Sequence, residues 1–182
     1  MSRELLVAQI PSLRRYARAL TGNTWAADDL VQDTLERACN KWRLWLVGSN
    51  LRAWLFSVMH NLFINQLRQL PAGGQNMMLD IEDVSDDLRA PESDPGKALD
   101  LQRCLLRLPP EQREVLLLVS MEDMSYAEVA KVTGVPIGTV MSRLSRARLR
   151  LQQSLDAPAR VPEKTVGETA AATRVTPLHR LK

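Results

Sequence analysis

The stretch from Tyr126 to Leu155 constrains this chain most, because a helix start, a stop, a restart and one apolar stripe follow one another without a gap. Ser125 and Glu128 stand three apart, the spacing at which a serine hydroxyl accepts from the backbone of the first turn while the glutamate reaches back to the serine. A helix must begin there. Gly134 supplies the left-handed residue that stops it, and Pro136 is tolerated in the first turn of the next. Beyond it Ile137, Val140, Leu144, Ala147, Leu151 and Leu155 advance by three or four and form a single apolar face. The other face presents Thr139, Arg143, Arg146, Arg150 and Gln153, with Ser142 and Arg148 nearby, and no acid lies between Pro136 and Ser154. Small Ala130 stands where the two helix axes would cross.

Two helices joined by so tight a turn are a helix-turn-helix. A helix that enters a major groove needs short side chains near its start, to approach base edges, and arginines beyond, to reach phosphate or guanine. The competing reading is a solvated basic face on an ordinary packed helix. Turn, cap, stripe and charge all agree on the first.

The rest of the chain is also helical in pattern, and no strand is predicted. Leu13, Ala17 and Leu20 recur after Pro11, with Gly22 as a stop. A second helix follows Asn23 and Thr24, either a suitable cap, with Leu30, Leu35, Ala38 and Trp42 on one side and an acidic stripe of Asp29, Asp33 and Glu36 on another. After Gly48, Ser49 and Asn50 a third helix turns Leu51, Leu55, Val58 and Leu62 inward and Asn61, Asn65 and Arg68 outward. Pro71, Gly73 and Gly74 end it. A linker rich in Asp, Pro and Ser runs to Gly96. Helical pattern resumes at Ala98 with Leu101, Leu105 and Leu108, breaks at Pro109 and Pro110, and restarts over Val115 to Val119. From Ala157 the prolines and small residues predict a disordered tail.

Composition removes several function classes. With 182 residues the chain suits two small helical domains, and its 45% apolar content contains no run near the roughly 18 residues that span a bilayer. Met1 to Ile10 carries no secretory pattern, so the cytoplasm is expected. Cys39 and Cys104 lie far apart, without metal-ligand spacing, and read as small core residues. His60 and His179 have no matching acid or nucleophile pattern around them, so a catalytic reading has no support, and no phosphate-cradling glycine loop is present. No metal, cofactor or catalytic group is expected. A net charge of +3 is too small to identify a nucleic-acid binder, but the distribution is uneven. Residues 1–70 hold nine basic and five acidic side chains, 71–97 two and seven, and 98–156 eight and seven.

The segment LRLPPEQREVLLLVSMEDMSYAEVAKVTGVPIGTVMSRLSRARLRL resembles domain four of extracytoplasmic-function (ECF) sigma factors. YARALTGNTWAADDLVQDTLERA and LRAWLFSVMHNLFINQLRQ resemble their domain two. Together they cover most of Pro11 to Leu155. The resemblance implies an all-α protein: domain two over residues 1–70, a flexible acidic linker over 71–97, domain four over 98–156 and a tail over 157–182. It implies binding to RNA polymerase core, at the clamp helices of the largest subunit and at the flap, binding to promoter DNA, and an anti-sigma partner.

Carried over by residue, Asp29, Gln32, Asp33 and Glu36 face the polymerase, and an acidic stripe in a basic domain suits a basic protein partner. Ser49 and Asn50 belong to the loop that takes up a flipped base. Asn61, Asn65 and Arg68 read the minus-10 strand. Ile137, Gly138, Thr139, Ser142, Arg143, Arg146 and Arg150 read the minus-35 element. Trp42, Trp45, Trp54, Phe56 and Phe63 offer aromatic surface near the loop, though such residues are more often core. The linker acids Asp80, Glu82, Asp83, Asp86, Asp87, Glu92 and Asp94 would mimic nucleic acid in the polymerase channel. Asn65 departs from the aspartate of many relatives and Met141 from their basic residue. Two rival readings stand beside this one: a stand-alone helix-turn-helix regulator, which predicts dimers on a palindrome, and a sigma-like decoy that sequesters an anti-sigma protein. An enzyme is the weakest reading.

Overall fold

The computed structural model describes residues 3–41, 50–69 and 95–156, and these form eight helices with no strand among them. Ser49, Trp42, Trp45, the linker acids and the tail lie outside the described residues. In chain order the helices are α1 (Arg3–Val7), α2 (Ile10–Thr21), α3 (Thr24–Asn40), α4 (Leu51–Gln69), α5 (Pro95–Leu106), α6 (Pro110–Ser120), α7 (Tyr126–Thr133) and α8 (Ile137–Asp156).

Local signals set most of the boundaries. Pro11 sits in the first turn of α2, and Gly22 closes that helix in the left-handed region at φ 72°, its N–H donating to the Arg18 carbonyl. Of the two candidate caps for α3, Asn23 serves: its side chain accepts from the Ala26 N–H at 2.8 Å. Asn50 does the same for α4, accepting from Ala53 N–H at 3.1 Å. The proline pair resolves as an N-terminus: Pro109 is the cap of α6 and Pro110 its first residue, several residues before the predicted restart. Ser125 and Glu128 make the full capping box of α7, and Gly134, at φ 68°, ends it.

Helices α2, α3 and α4 pack as one half, and α5 to α8 as the other. The halves share one apolar core that runs from Leu13, Tyr16 and Leu20 through Leu55 and Phe56 to Val115, Leu118, Val140 and Leu144. Full burial of a leucine such as Leu13 or Leu118 is worth about 1.5–3 kcal/mol. Helix α6 lies at the centre, touching α2, α5, α7 and α8, and buries every residue from Gln112 to Leu118.

This packing corrects several expectations. Helix α4 buries Leu55, Phe56, Val58, Met59 and Phe63, while Leu51 and Leu62 are only half-buried. It packs α3 on one side and α7 on the other, so its buried surface is broader than one amphipathic stripe. Cys104 is buried as predicted, but Cys39 is exposed, because the inward face of α3 passes through Ala38 and position 39 lies about 100° further round. On α8 only Val140, Leu144 and Ala147 are buried. Ile137 and Leu155 end the stripe half-exposed, at 49% and 50%, because the helices beneath α8 are shorter than its 20 residues.

Candidate nucleic-acid and polymerase interfaces

Three surfaces gather the predicted residues. On α3, Ala27, Leu30, Val31, Thr34 and Ala38 face the core, the Thr34 hydroxyl satisfied by the Leu30 carbonyl at 2.7 Å. That fixes the opposite side outward: Asp29, Gln32 and Glu36 are exposed and Asp33 half-exposed. Beside the stripe an open groove of about 510 Å³ runs between α2 and α3, floored by Ile10, Val31 and Leu35. Gln32 and Glu36 line it, as does Cys39, and Arg14 pairs with Asp28 across it at 3.4 Å.

On α4, Asn61, Asn65 and Arg68 are exposed on the side away from the core. Asn61 donates to the Ser57 carbonyl at 2.8 Å. Of the candidate aromatics, Phe56 and Phe63 are core, and Phe56 meets Tyr16 edge-on with ring centroids 5.0 Å apart. Trp54 is half-buried against that core. Asn50 is engaged twice: it caps α4, and its amide donates to Glu128 Oε1 at 2.9 Å. The Glu128 carboxyl is held below the ordinary glutamate value by the Ser125 backbone N–H and hydroxyl, with Asn50 and Arg52 adding to this.

On α8, Gly138, Ser142, Arg146 and Arg150 are exposed, Thr139 and Arg143 half-exposed. A Cβ at Gly138 would meet nothing within 4 Å, so the start of this helix is open to close approach. Arg150 also donates to Gln112 Oε1 at 3.2 Å, which anchors one end of the basic face to α6.

A fourth cluster has no counterpart in the sequence reading. Glu114 and Glu122, both from the C-terminal half, are 1% and 0% exposed, and their partners come from the other half. Glu114 accepts from the Tyr16 hydroxyl, and His60 Nδ1 lies 2.6 Å from its Oε1, so His60 does have an acid beside it, 54 residues away in sequence. Glu122 accepts from Ser12, from Arg52, and from Arg15 at 3.1 Å. Burial, then the Glu114 and Glu122 charges, push the Tyr16 phenol well above its usual value, so it stays a donor. Arg113 reaches back with Nη1 to the Leu20 carbonyl at 2.7 Å, one of the orphan acceptors at the end of α2, and burial lowers its guanidinium to about 10. No group of three or more His, Cys, Asp or Glu that could hold a metal ion occurs among the described residues, and no described helix is long and apolar enough to cross a membrane.

Comparison with known proteins agrees with this arrangement in both halves. Residues 6–60 match the family model described as the Sigma2 domain of PhyR, and residues 98–151 match Sigma-70, region 4. The ECF RNA polymerase sigma factor EcfG of Rhodopseudomonas palustris is 38% identical over 159 residues, covering 84% of each chain. SigM of Mycobacterium tuberculosis is 34% identical over 143 residues, 79% of this chain and 71% of its own. Among solved structures, the sigma factor RpoE in complex with the anti-sigma factor NepR from Bartonella quintana superposes with a TM-score of 0.69 at 35% identity, over 85% of this chain and 96% of that one. The chain therefore belongs to the ECF family of RNA polymerase sigma factors, proteins that direct transcription initiation.

Proposed function

We propose that this chain works by presenting two surfaces of opposite charge: the acidic face of α3 to polymerase core and the basic face of α8 to promoter DNA. The observation that carries this reading is the exposure of both faces on helices whose other sides are locked into one core. In this reading Asp29, Gln32, Asp33 and Glu36 dock on the clamp helices of the largest subunit, and the C-terminal half reaches the flap. Asn61, Asn65 and Arg68 read the minus-10 strand, with Ser49 and Asn50 at the flipped base. Ile137, Gly138, Thr139, Ser142, Arg143, Arg146 and Arg150 read the minus-35 element, Ile137 being exposed enough to touch a thymine methyl. The polymerase supplies the chemistry, the chain has no turnover of its own, and its place of work is the cytoplasm. RpoE is solved with NepR, and an anti-sigma protein is the corresponding regulator proposed here.

The match of residues 6–60 to the Sigma2 domain of PhyR keeps the decoy in view as a second reading. A decoy has no use for the basic face that Arg143, Arg146 and Arg150 form on α8, and that face favours promoter recognition. Replacing Asp29 and Asp33 by lysine separates the readings at the first step. Gel filtration with core should show co-elution of the wild type and its loss, by at least tenfold in affinity, for the double variant, with an unchanged helical spectrum. Equal co-elution of the two would remove the α3 assignment.

A further inference from the structure

The carboxylate of Glu122 is fully buried, yet its donors are Ser12 and Arg15 on α2 and Arg52 on α4, all from the other half of the molecule. Its position is built. Asp123 takes a left-handed φ of 51°, Glu122 N–H returns to the Leu117 carbonyl at 3.3 Å, and Met124 N–H to the Leu118 carbonyl at 3.1 Å. This turn ends α6 and aims residue 122 into the other half while Met124 is buried beneath it. The donors differ from the acceptor in one respect: the Arg15 and Arg52 side chains are 45% and 36% exposed, so water reaches them readily. Losing these partners would leave a buried charge uncompensated, which is strongly destabilising.

The arrangement held in this way is too short for its task. Elements centred 10 and 35 base pairs upstream lie about 85 Å apart at 3.4 Å per pair. A compact body of the 121 described residues is only about 35 Å across, and here α7 lies directly against α4. The closed chain therefore cannot place α4 and α8 on both elements at once, although each reading face is exposed. The 25 residues between Gln69 and Pro95 have a maximum reach of about 85 Å, enough for the span once the halves separate.

We propose that Glu122 is an internal latch: seated on Ser12, Arg15 and Arg52, it holds the partner-free chain closed, and withdrawal of this carboxylate is the step that lets the halves part. The consequence for promoter spanning rests on the function proposed above; the latch does not. Glu114, held by His60 and Tyr16, is a second contact across the same boundary.

The test is a distance measurement on the full chain. Spin labels go on exposed Cys39 of α3 and on S145C of α8, with buried Cys104 replaced by alanine. Double electron–electron resonance should give one narrow, short distance for this background. E122K places a cation against two arginines and should raise the long-distance population at least tenfold; R52E should do the same. Combining E122K with R52E should restore at least half of the closed population, which general damage to the fold would not do. Circular dichroism reports that the helices persist, and if E122K does not fold, E122Q, which removes the charge alone, should still raise the open population about threefold. An unchanged distance distribution in E122K (or in E122Q as its substitute) and R52E, or a double variant as open as the singles, overturns the proposal. Polymerase and DNA are absent from this measurement, so a chain that fails in transcription yet obeys these distances would sink the proposed function and leave the latch standing.

Discussion

Replacing Gly22 by alanine perturbs two things that can be separated. The residue closes α2 at φ 72°, a conformation that costs an L side chain about 1–2 kcal/mol. A Cβ there would also lie 2.4 Å from Leu106 Cδ1, 2.7 Å from Cδ2 and 3.1 Å from Cγ. Leu106 is half-buried and the two close atoms are the ends of its side chain, so a shift of that side chain relieves part of the clash and the over-packing cost stays near the lower end, about 1 kcal/mol. The expected loss is therefore about 2–3 kcal/mol. Gly134 is an internal control, since it has a similar φ of 68° but nothing within 4 Å of a Cβ. Gly134→Ala should lose only the conformational part, about 1–2 kcal/mol. In a Leu106→Ala background the clash is gone, and Gly22→Ala should cost no more than the control. The double-mutant cycle, read by urea unfolding at equilibrium, should then show a coupling of about 1 kcal/mol. If G22A costs no more than G134A, or if G22A and L106A add to within about 0.5 kcal/mol, the packing of α5 on the end of α2 is wrong.

Two further outcomes are expected. Because the Glu128 carboxyl is lowered in the folded chain from its ordinary 4.5, its contribution is fully present above that value and fades as pH falls through the lower folded one. Glu128→Gln should flatten this part of the stability profile in acid, and an unchanged pH slope would show that the capping box is not ionic in origin. Replacing Arg146 by alanine should lower the log–log salt dependence of promoter binding by about one unit if it meets phosphate, or relax discrimination at one base pair by about 1–3 kcal/mol if it meets a base; no change in either would clear it of DNA contact.

What the sequence made legible was whatever is decided within one or two helical turns. The Ser125–Glu128 box, the Gly22 and Gly134 stops and the exposed arginines of α8 each depend on neighbours a few residues away, and the structure places each where its spacing requires. The contacts between the halves were not legible, because nothing local announces them. Glu122 lies in the run Ser120-Met121-Glu122-Asp123, which resembles any solvated turn, and its arginine partners stand 70 and 107 residues away. His60 looked isolated for the same reason. Composition gave one faint signal: Gln112, Arg113 and Glu114 open a helix that is buried all round, and three polar residues in such a place must find partners outside their own helix. Cys39 was misread because burial of a cysteine depends on its angle around the helix, and one step past Ala38 is enough to reach solvent. The polymerase and promoter contacts proposed for the named residues rest on exposure and charge together with family membership.

The most direct test of the account is run-off transcription by purified core on promoter DNA selected with the reconstituted holoenzyme. Addition of this chain should produce initiation at a defined start site, at least tenfold above core alone, and the variant with lysine at both Asp29 and Asp33 should not. Transcripts of equal abundance and start site with and without the chain would contradict it.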